Sequence, residues 1–510
     1  MTRLKWWSTG RGDIDATIAQ VGFNVAQLII PVFLLAPTGI SAEFSISHLL
    51  PGYALGFVVG SFGFCLLAVR LCRREDRQDV TAHVYGNNVP AIIAYTLSIL
   101  LPVYLRTHDP VQAWHMGAAA VIWTGLIKLG AAPFAGIIQR SIPSAASMTV
   151  FGSAMYSYLA LVLLQRVFDR PLVGLITLAI IMISIAGVPF TRWRIPPFVV
   201  AWLIPLAVGI GISYVHLSWP ALRVETPWVA SLQPLRTLTA VLPYLSVIAP
   251  MAIYHVLQDI AAATGASAAG DRYDARSVLA WDGLGTLIAG VAGSTVAPVV
   301  YALHPPYKHL GARTGFSLWT GIIFLLIVVS GLTFFCAQLF PWAILSAMIA
   351  YITVGVGTTT LRRVDAKYTP AVLLGFVLPA GAVVSASISS ALPALGLSPT
   401  NPAVQAALNR SIYWTSVQAL GNGFLFLVLI VSAVITEILN RSFTRAAIWC
   451  AIAAGFSWFG LMHSAVMHWA AQPEYAAGWL CAAVLIYSAR WWSGSAQRNG
   501  RTVSVRSATH

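Results

Sequence analysis

Apolar stretches of membrane-crossing length recur along almost the whole of this chain, and they leave few folds open to it. A helix needs about 20 predominantly apolar residues to cross the hydrocarbon core of a bilayer. Sixteen segments meet that need, near residues 14–36, 47–69, 80–104, 112–132, 143–165, 171–189, 196–215, 238–265, 276–293, 294–312, 315–336, 340–360, 369–392, 412–438, 444–463 and 470–490. Only 9% of the 510 residues are charged, where soluble domains carry roughly 25%. The chain therefore reads as an all-α polytopic membrane protein. A cleavable signal peptide is not expected, because the first apolar run has polar side chains inside it. The five cysteines are scattered without CxxC or metal spacing, so neither a disulfide framework nor a metal site is expected, and no cofactor.

The net charge of +14 follows from topology. Lys and Arg accumulate in cytoplasmic loops. With the N-terminus inside and the spans alternating, inside segments hold 24 of the 30 basic residues and outside segments hold 6. Reversing the orientation would invert this bias. Both termini are expected in the cytoplasm, with the chain in a bacterial-type cytoplasmic (inner) membrane. Nucleic acid is not needed to explain the charge.

The stretch VVYALHPPYKHLGAR (299–313) breaks an apolar segment with a histidine and two prolines. It has a partner in the first half of the chain. Residues 84–90 read VYGNNVP and residues 300–306 read VYALHPP, both V-Y-x-x-x-x-P at an offset of 216. Such matched discontinuities mark inverted-repeat transporters. Irregular backbone inside a bilayer survives only where protein satisfies its polar groups. The two segments are therefore expected to form short strands that pair with each other, each leading into a half-helix. Proline early in a helix costs little, so Pro90, Pro305 and Pro306 read as helix starts. Polar faces accompany them: Gln20, Asn24 and Gln27 in span 1, and His255, Gln258 and Asp259 in span 8. Small residues at Gly52, Gly56 and Gly60 in span 2, and at Gly283, Gly285, Gly290 and Gly293 in span 9, suit close helix packing. The expected organisation is a first repeat over 1–215, an inter-repeat extracytoplasmic loop over 216–235 and a second repeat over 236–440. Two additional helices over 441–493 and a cytoplasmic tail over 494–510 complete it.

DGLGTLIAGVAGSTVAPVVYALHPPYKHLGARTGFS (282–317) resembles the span 9–10 signature of the xanthine/uracil permease superfamily, nearest its purine permease branch, and DVTAHVYGNNVPA resembles that family's third-span motif. The resemblance implies a seven-plus-seven inverted-repeat fold with core and gate domains, and a homodimer. It implies substrate held between the half-helices of spans 3 and 10, with side chains from spans 1 and 8. Anion transporters of the sulphate/bicarbonate class share that fold. One departure stands out: span 10 has Ala302, Leu303 and His304 where such permeases place an acid.

The candidate substrate-binding residues are Gln20, Asn24, Tyr85, Asn87, Asn88, His255, Gln258, Asp259, Tyr301, Leu303 and His304, with Asp259 and His304 as proton-coupling candidates. A carboxylate deep in a span costs roughly 3 kcal/mol on insertion scales and so needs a reason. Histidine titrates near neutrality and suits proton transfer. Capping, helix–helix bonding and aromatic packing are the plainer roles for the same residues. Asp282, Lys308 and Arg313 read as structural or gate charges at the cytoplasmic ends of spans 9 and 10. The expected function is a secondary transporter of a small polar solute, a nucleobase-like heterocycle, coupled to a proton or sodium. An anion carrier of the same fold and a non-transporting sensor or scaffold stay open as alternatives. No HExxH or GxSxG motif points to an enzyme.

Overall fold

The computed structural model describes residues 11–185, 197–217, 233–301, 303–397 and 401–498. Among these, eight helices are long and apolar enough to cross a membrane, or nine if the pair Trp414–Gly421 and Phe424–Leu439, bent by 79°, forms one span. The other expected spans are shorter helices, except that span 10 is a strand and a short helix and the last, Pro473–Arg498, is a long one. Most of the expected inter-repeat loop, and the end of the expected tail, lie outside the described residues.

The first half contains α1 (Arg11–Leu28), α2 (Pro51–Glu75), β1 (Tyr85–Asn87) and α3 (Val89–Tyr95). It continues through α4 (Pro110–Ala131), α5 (Ser144–Ser153), α6 (Ala160–Asp169), α7 (Pro171–Ile185) and α8 (Pro197–Gly211). The second half opens with α9 (Leu245–Ala268), α10 (Ala275–Val291), β2 (Pro298–Val300), α11 (His304–His309) and α12 (Phe316–Val329). Then come α13 (Trp342–Arg363), α14 (Thr369–Val377), α15 (Pro379–Ala394), α16 (Trp414–Gly421) and α17 (Phe424–Leu439). The two last helices are α18 (Phe443–Trp458) and α19 (Pro473–Arg498).

The helices pack in two groups. One gathers α1, α2, α4, α9, α10 and α12 around the strands, and the other gathers α5–α8 with α13–α17. Helices α18 and α19 pack on each other, and α18 packs on α17.

The strands pair antiparallel, with Tyr85 opposite Val300, Gly86 opposite Val299 and Asn87 opposite Pro298. Tyr301 N–H adds a bond to Val84 O at 2.8 Å. Each V-Y dipeptide thus faces the other in reverse, as an inverted repeat requires. All six strand residues are buried, so protein groups alone satisfy this backbone. The prolines behave as expected: Pro90 lies in the first turn of α3, and Pro305 and Pro306 in the first turn of α11. Span 10 is a strand and a half-helix, as expected. It divides into β2 and the six-residue α11, which ends before a left-handed Gly311 (φ 83°).

The glycine faces of α2 and α10 meet. A Cβ on Gly56 would run into the Gly285 carbonyl and the Ala289 side chain. Gly56→Ala is expected to destabilise the protein by about 1–3 kcal/mol through overpacking, read as a lower melting temperature in detergent. Gly22, whose added Cβ meets nothing within 4 Å, serves as the tolerant control.

Candidate functional site

Polar side chains from the first helix of each half hold the strand pair. From α1, Gln20 Nε2 donates to Tyr85 O at 2.8 Å, and Asn24 Nδ2 to the same carbonyl at 3.2 Å. Asn87 Nδ2 donates to Asn24 O at 2.7 Å. From α9, Gln258 Nε2 donates to Val300 O at 3.3 Å, and Asp259 Oδ1 accepts from Val300 N–H at 3.3 Å. The Tyr301 hydroxyl lies 2.7 Å from both Gln27 Oε1 and Asn87 O. Gly86 admits this crossing, since a Cβ there would strike Asn24 Oδ1 and the Tyr301 ring.

The same network reaches the start of α3. Asn88 Oδ1 accepts from Ala91 N–H at 2.9 Å and caps that helix. Its Nδ2 donates to Gln258 Oε1 at 3.1 Å, tying α3 to α9. Asn88 N–H, Ala91 N–H and Ile92 N–H are bonded and Pro90 has none, so what this N-terminus offers is chiefly its dipole, about half a positive charge.

Nine of the sequence-predicted residues thus fall in one neighbourhood, and most of their polar atoms are spent on protein partners. His255 is different. It lies on α9, one turn before Gln258 and Asp259, fully buried, and neither ring nitrogen has a hydrogen-bond partner among the described residues. Neutral imidazole always carries one N–H, so His255 holds a donor that no protein group accepts. Asp259 Oδ2 and Asn87 Oδ1 are likewise buried without partners. His255 and Asp259 form no hydrogen bond with each other.

The tyrosines are packed. The Tyr85 ring lies parallel to Phe57, with centroids 5.3 Å apart, and Tyr301 meets Phe23 edge-on at 5.6 Å. Leu303 is half-buried against the cluster of Tyr301, Tyr307 and Phe316. Tyr307, which the sequence did not single out, donates its hydroxyl to Gln20 Oε1.

His304 turns away from this neighbourhood. Its Nε2 is 2.8 Å from Asp271 Oδ2, in the loop between α9 and α10. Asp271 Oδ1 also accepts from Arg77 Nη2 at 2.7 Å and from Lys308 Nζ at 2.6 Å, and Oδ2 accepts from Thr81 N–H at 3.1 Å. Burial pushes this carboxyl up, but hydrogen bonds from His304, Lys308, Thr81 N–H and Arg77 outweigh it and hold it well below the usual carboxylate range. A depressed folded-state pKa gives stability that is present above the unfolded value and lost as the pH falls below it. Asp271→Asn is therefore expected to lower the melting temperature at pH 6–7. Its gap to the wild type should narrow only below about pH 4, the ordinary carboxylate range. Melting curves across pH check this.

A third cluster lies under the strands. Lys128 Nζ on α4 donates to Asp282 Oδ2 at 2.8 Å, Thr286 Oγ1 at 2.9 Å and Pro298 O at 2.8 Å. Asp282 Oδ1 accepts from the Tyr85 hydroxyl at 2.9 Å. Lys128 and Asp282 are both fully buried. Two expectations are corrected by this, one for Asp282 and one for Lys128, which belongs to the 24 basic residues counted to inside segments. Lys128 is not a loop charge, and Asp282 is not a cytoplasmic-end charge but a member of a buried pair midway along α10. Lys128 sits in an apolar run, IWTGLIKLGA, and a lone lysine there is the signal that would have found the pair.

No protein-family model and no curated protein matches the sequence. Solved structures do match. The transmembrane domain of a cyanobacterium bicarbonate transporter, BicA, aligns with a TM-score of 0.50 at 14% identity, covering 74% of this chain and 96% of that one. SLC26A9 aligns with a TM-score of 0.49 at 13% identity, covering 82% of this chain and 65% of that one. The expected place in the xanthine/uracil permease superfamily is corrected by the match to BicA, and the nucleobase reading falls with it. The residues that carried the resemblance do packing work: Asp282 holds Lys128 and Tyr85, and Gly285 meets Gly56. Such duties belong to a fold rather than to one substrate. The fold itself stands as expected: this chain has the seven-plus-seven inverted-repeat architecture of a membrane transporter, with short paired strands in spans 3 and 10.

Proposed function

We propose that the protein is a secondary transporter of a small anion, bound beside the capped start of α3. The observation that carries this reading is the buried, unpartnered ring N–H of His255, one helical turn from the Gln258–Asn88 link to that helix start. A donor and a helix N-terminus together favour negative charge. The composition of the junctions supports the same sign. Span 10 brings Leu303 and His304 rather than an acid, and Asp259 Oδ1 is engaged by Val300 N–H. BicA, whose membrane domain shares the fold, is a bicarbonate transporter. Asp259 is the proton-carrying candidate in this reading, through its unpartnered Oδ2. Movement of the strand-bearing helix group against the second group would give alternating access.

A thermal-shift screen of purified protein tests the ligand class. Bicarbonate, sulphate or formate is expected to raise the melting temperature saturably at constant ionic strength, and uracil to leave it unchanged. Stabilisation by uracil alone would reverse the reading.

A further inference from the structure

We propose that Lys128 is a tethered cation, its ammonium filling an oxygen cage that takes a free monovalent metal cation once the side chain is removed. The three protons of a lysine ammonium can each be donated once. Here all three go to oxygen: a carboxylate (Asp282 Oδ2), a hydroxyl (Thr286 Oγ1) and a strand carbonyl (Pro298 O), at 2.8–2.9 Å. Carboxylate, hydroxyl and backbone carbonyl are the ligand set of hard cations. One carboxylate, Asp282, balances the ammonium as an ion pair. Asp259 lies close enough for Asp282 and Lys128 to act on it directly. A carboxylate, a hydroxyl and a carbonyl thus surround a single positive centre.

The cage also has a structural duty. It ties α4 and α10 to Pro298 of β2, and through the Tyr85 hydroxyl to β1. A mobile cation at this position would make the strand pair depend on ion binding. A lysine fixes the charge in place, so this position is expected to impose no alkali-cation requirement on the wild type. None of this depends on the anion reading, and stability rather than flux is the readout, so the two can fail separately.

The test is the melting temperature of purified Lys128→Ala in KCl, NaCl, NH4Cl and N-methyl-D-glucamine chloride at equal ionic strength. A saturable rise in KCl or NaCl over the bulky organic cation is expected, with the wild type showing none. Lys128→Ala/Asp282→Asn, which removes the cage charge, is expected to lose that dependence. The proposal is overturned if Lys128→Ala melts alike in all four salts, or if NH4Cl alone stabilises it. It is equally overturned if Lys128→Ala cannot be recovered folded in KCl or NaCl, or if the double variant keeps the same cation response.

Discussion

Asp282→Ala should cost about 3–5 kcal/mol of stability, the usual penalty for leaving one member of a buried ion pair uncompensated. The remaining Lys128 ammonium would keep only Thr286 Oγ1 and Pro298 O as acceptors. The Tyr85 hydroxyl would lose its acceptor as well. Few changes elsewhere reach this size, because Asp282 on α10 bonds α4 through Lys128 and β1 through Tyr85, and Lys128 in turn holds β2. Replacing both charges by apolar residues, as in Lys128→Met/Asp282→Leu, should recover a large part of the loss, since a buried pair and its apolar substitute are often close in energy. Thermal or denaturant melting of the single and double variants measures it. A single variant that melts with the wild type would mean that the pair does not hold the strands.

His255→Ala should lower anion uptake by about 10- to 100-fold per folded molecule, with the melting temperature lowered only by the lost packing. A hydrogen bond to a charged group contributes about 1.5–3 kcal/mol, and each 1.4 kcal/mol is about a factor of ten. The folded protein draws no hydrogen bond from this ring, so its removal costs packing but no polar partner. His255→Asn, which keeps a donor at a different reach, should fall between the two. Uptake into proteoliposomes, normalised to folded protein, distinguishes them. Equal loss of stability and uptake in His255→Ala would assign the ring a structural role instead.

Much of the architecture was legible because membranes restrict backbone so strongly. Span length, the V-Y-x-x-x-x-P pair and the proline positions were enough to expect two strands pairing across an inverted repeat. The polar faces of spans 1 and 8 were readable for the same reason: amides and acids inside a span must meet protein. Their partners were not. Periodicity places Gln20 and Gln258 on faces, but only tertiary structure shows that both bond to strand carbonyls, Tyr85 O and Val300 O. His304 shows the limit clearly. Its position at the start of a half-helix suggested a ligand group, yet it bonds Asp271, a loop residue 33 positions earlier. No local pattern announces such a contact. Lys128 was hidden by bookkeeping, since a basic residue near a span end is ordinarily counted with the loop. The superfamily was misjudged because glycine and aspartate that serve helix packing were taken for marks of one substrate class.

Flux of labelled bicarbonate into proteoliposomes holding the wild-type protein addresses the proposed function most directly. Saturable uptake that unlabelled sulphate or formate inhibits, and that His255→Ala reduces at least about tenfold, is the predicted result. Folded wild-type protein that moves none of these anions above the level of protein-free liposomes would contradict it.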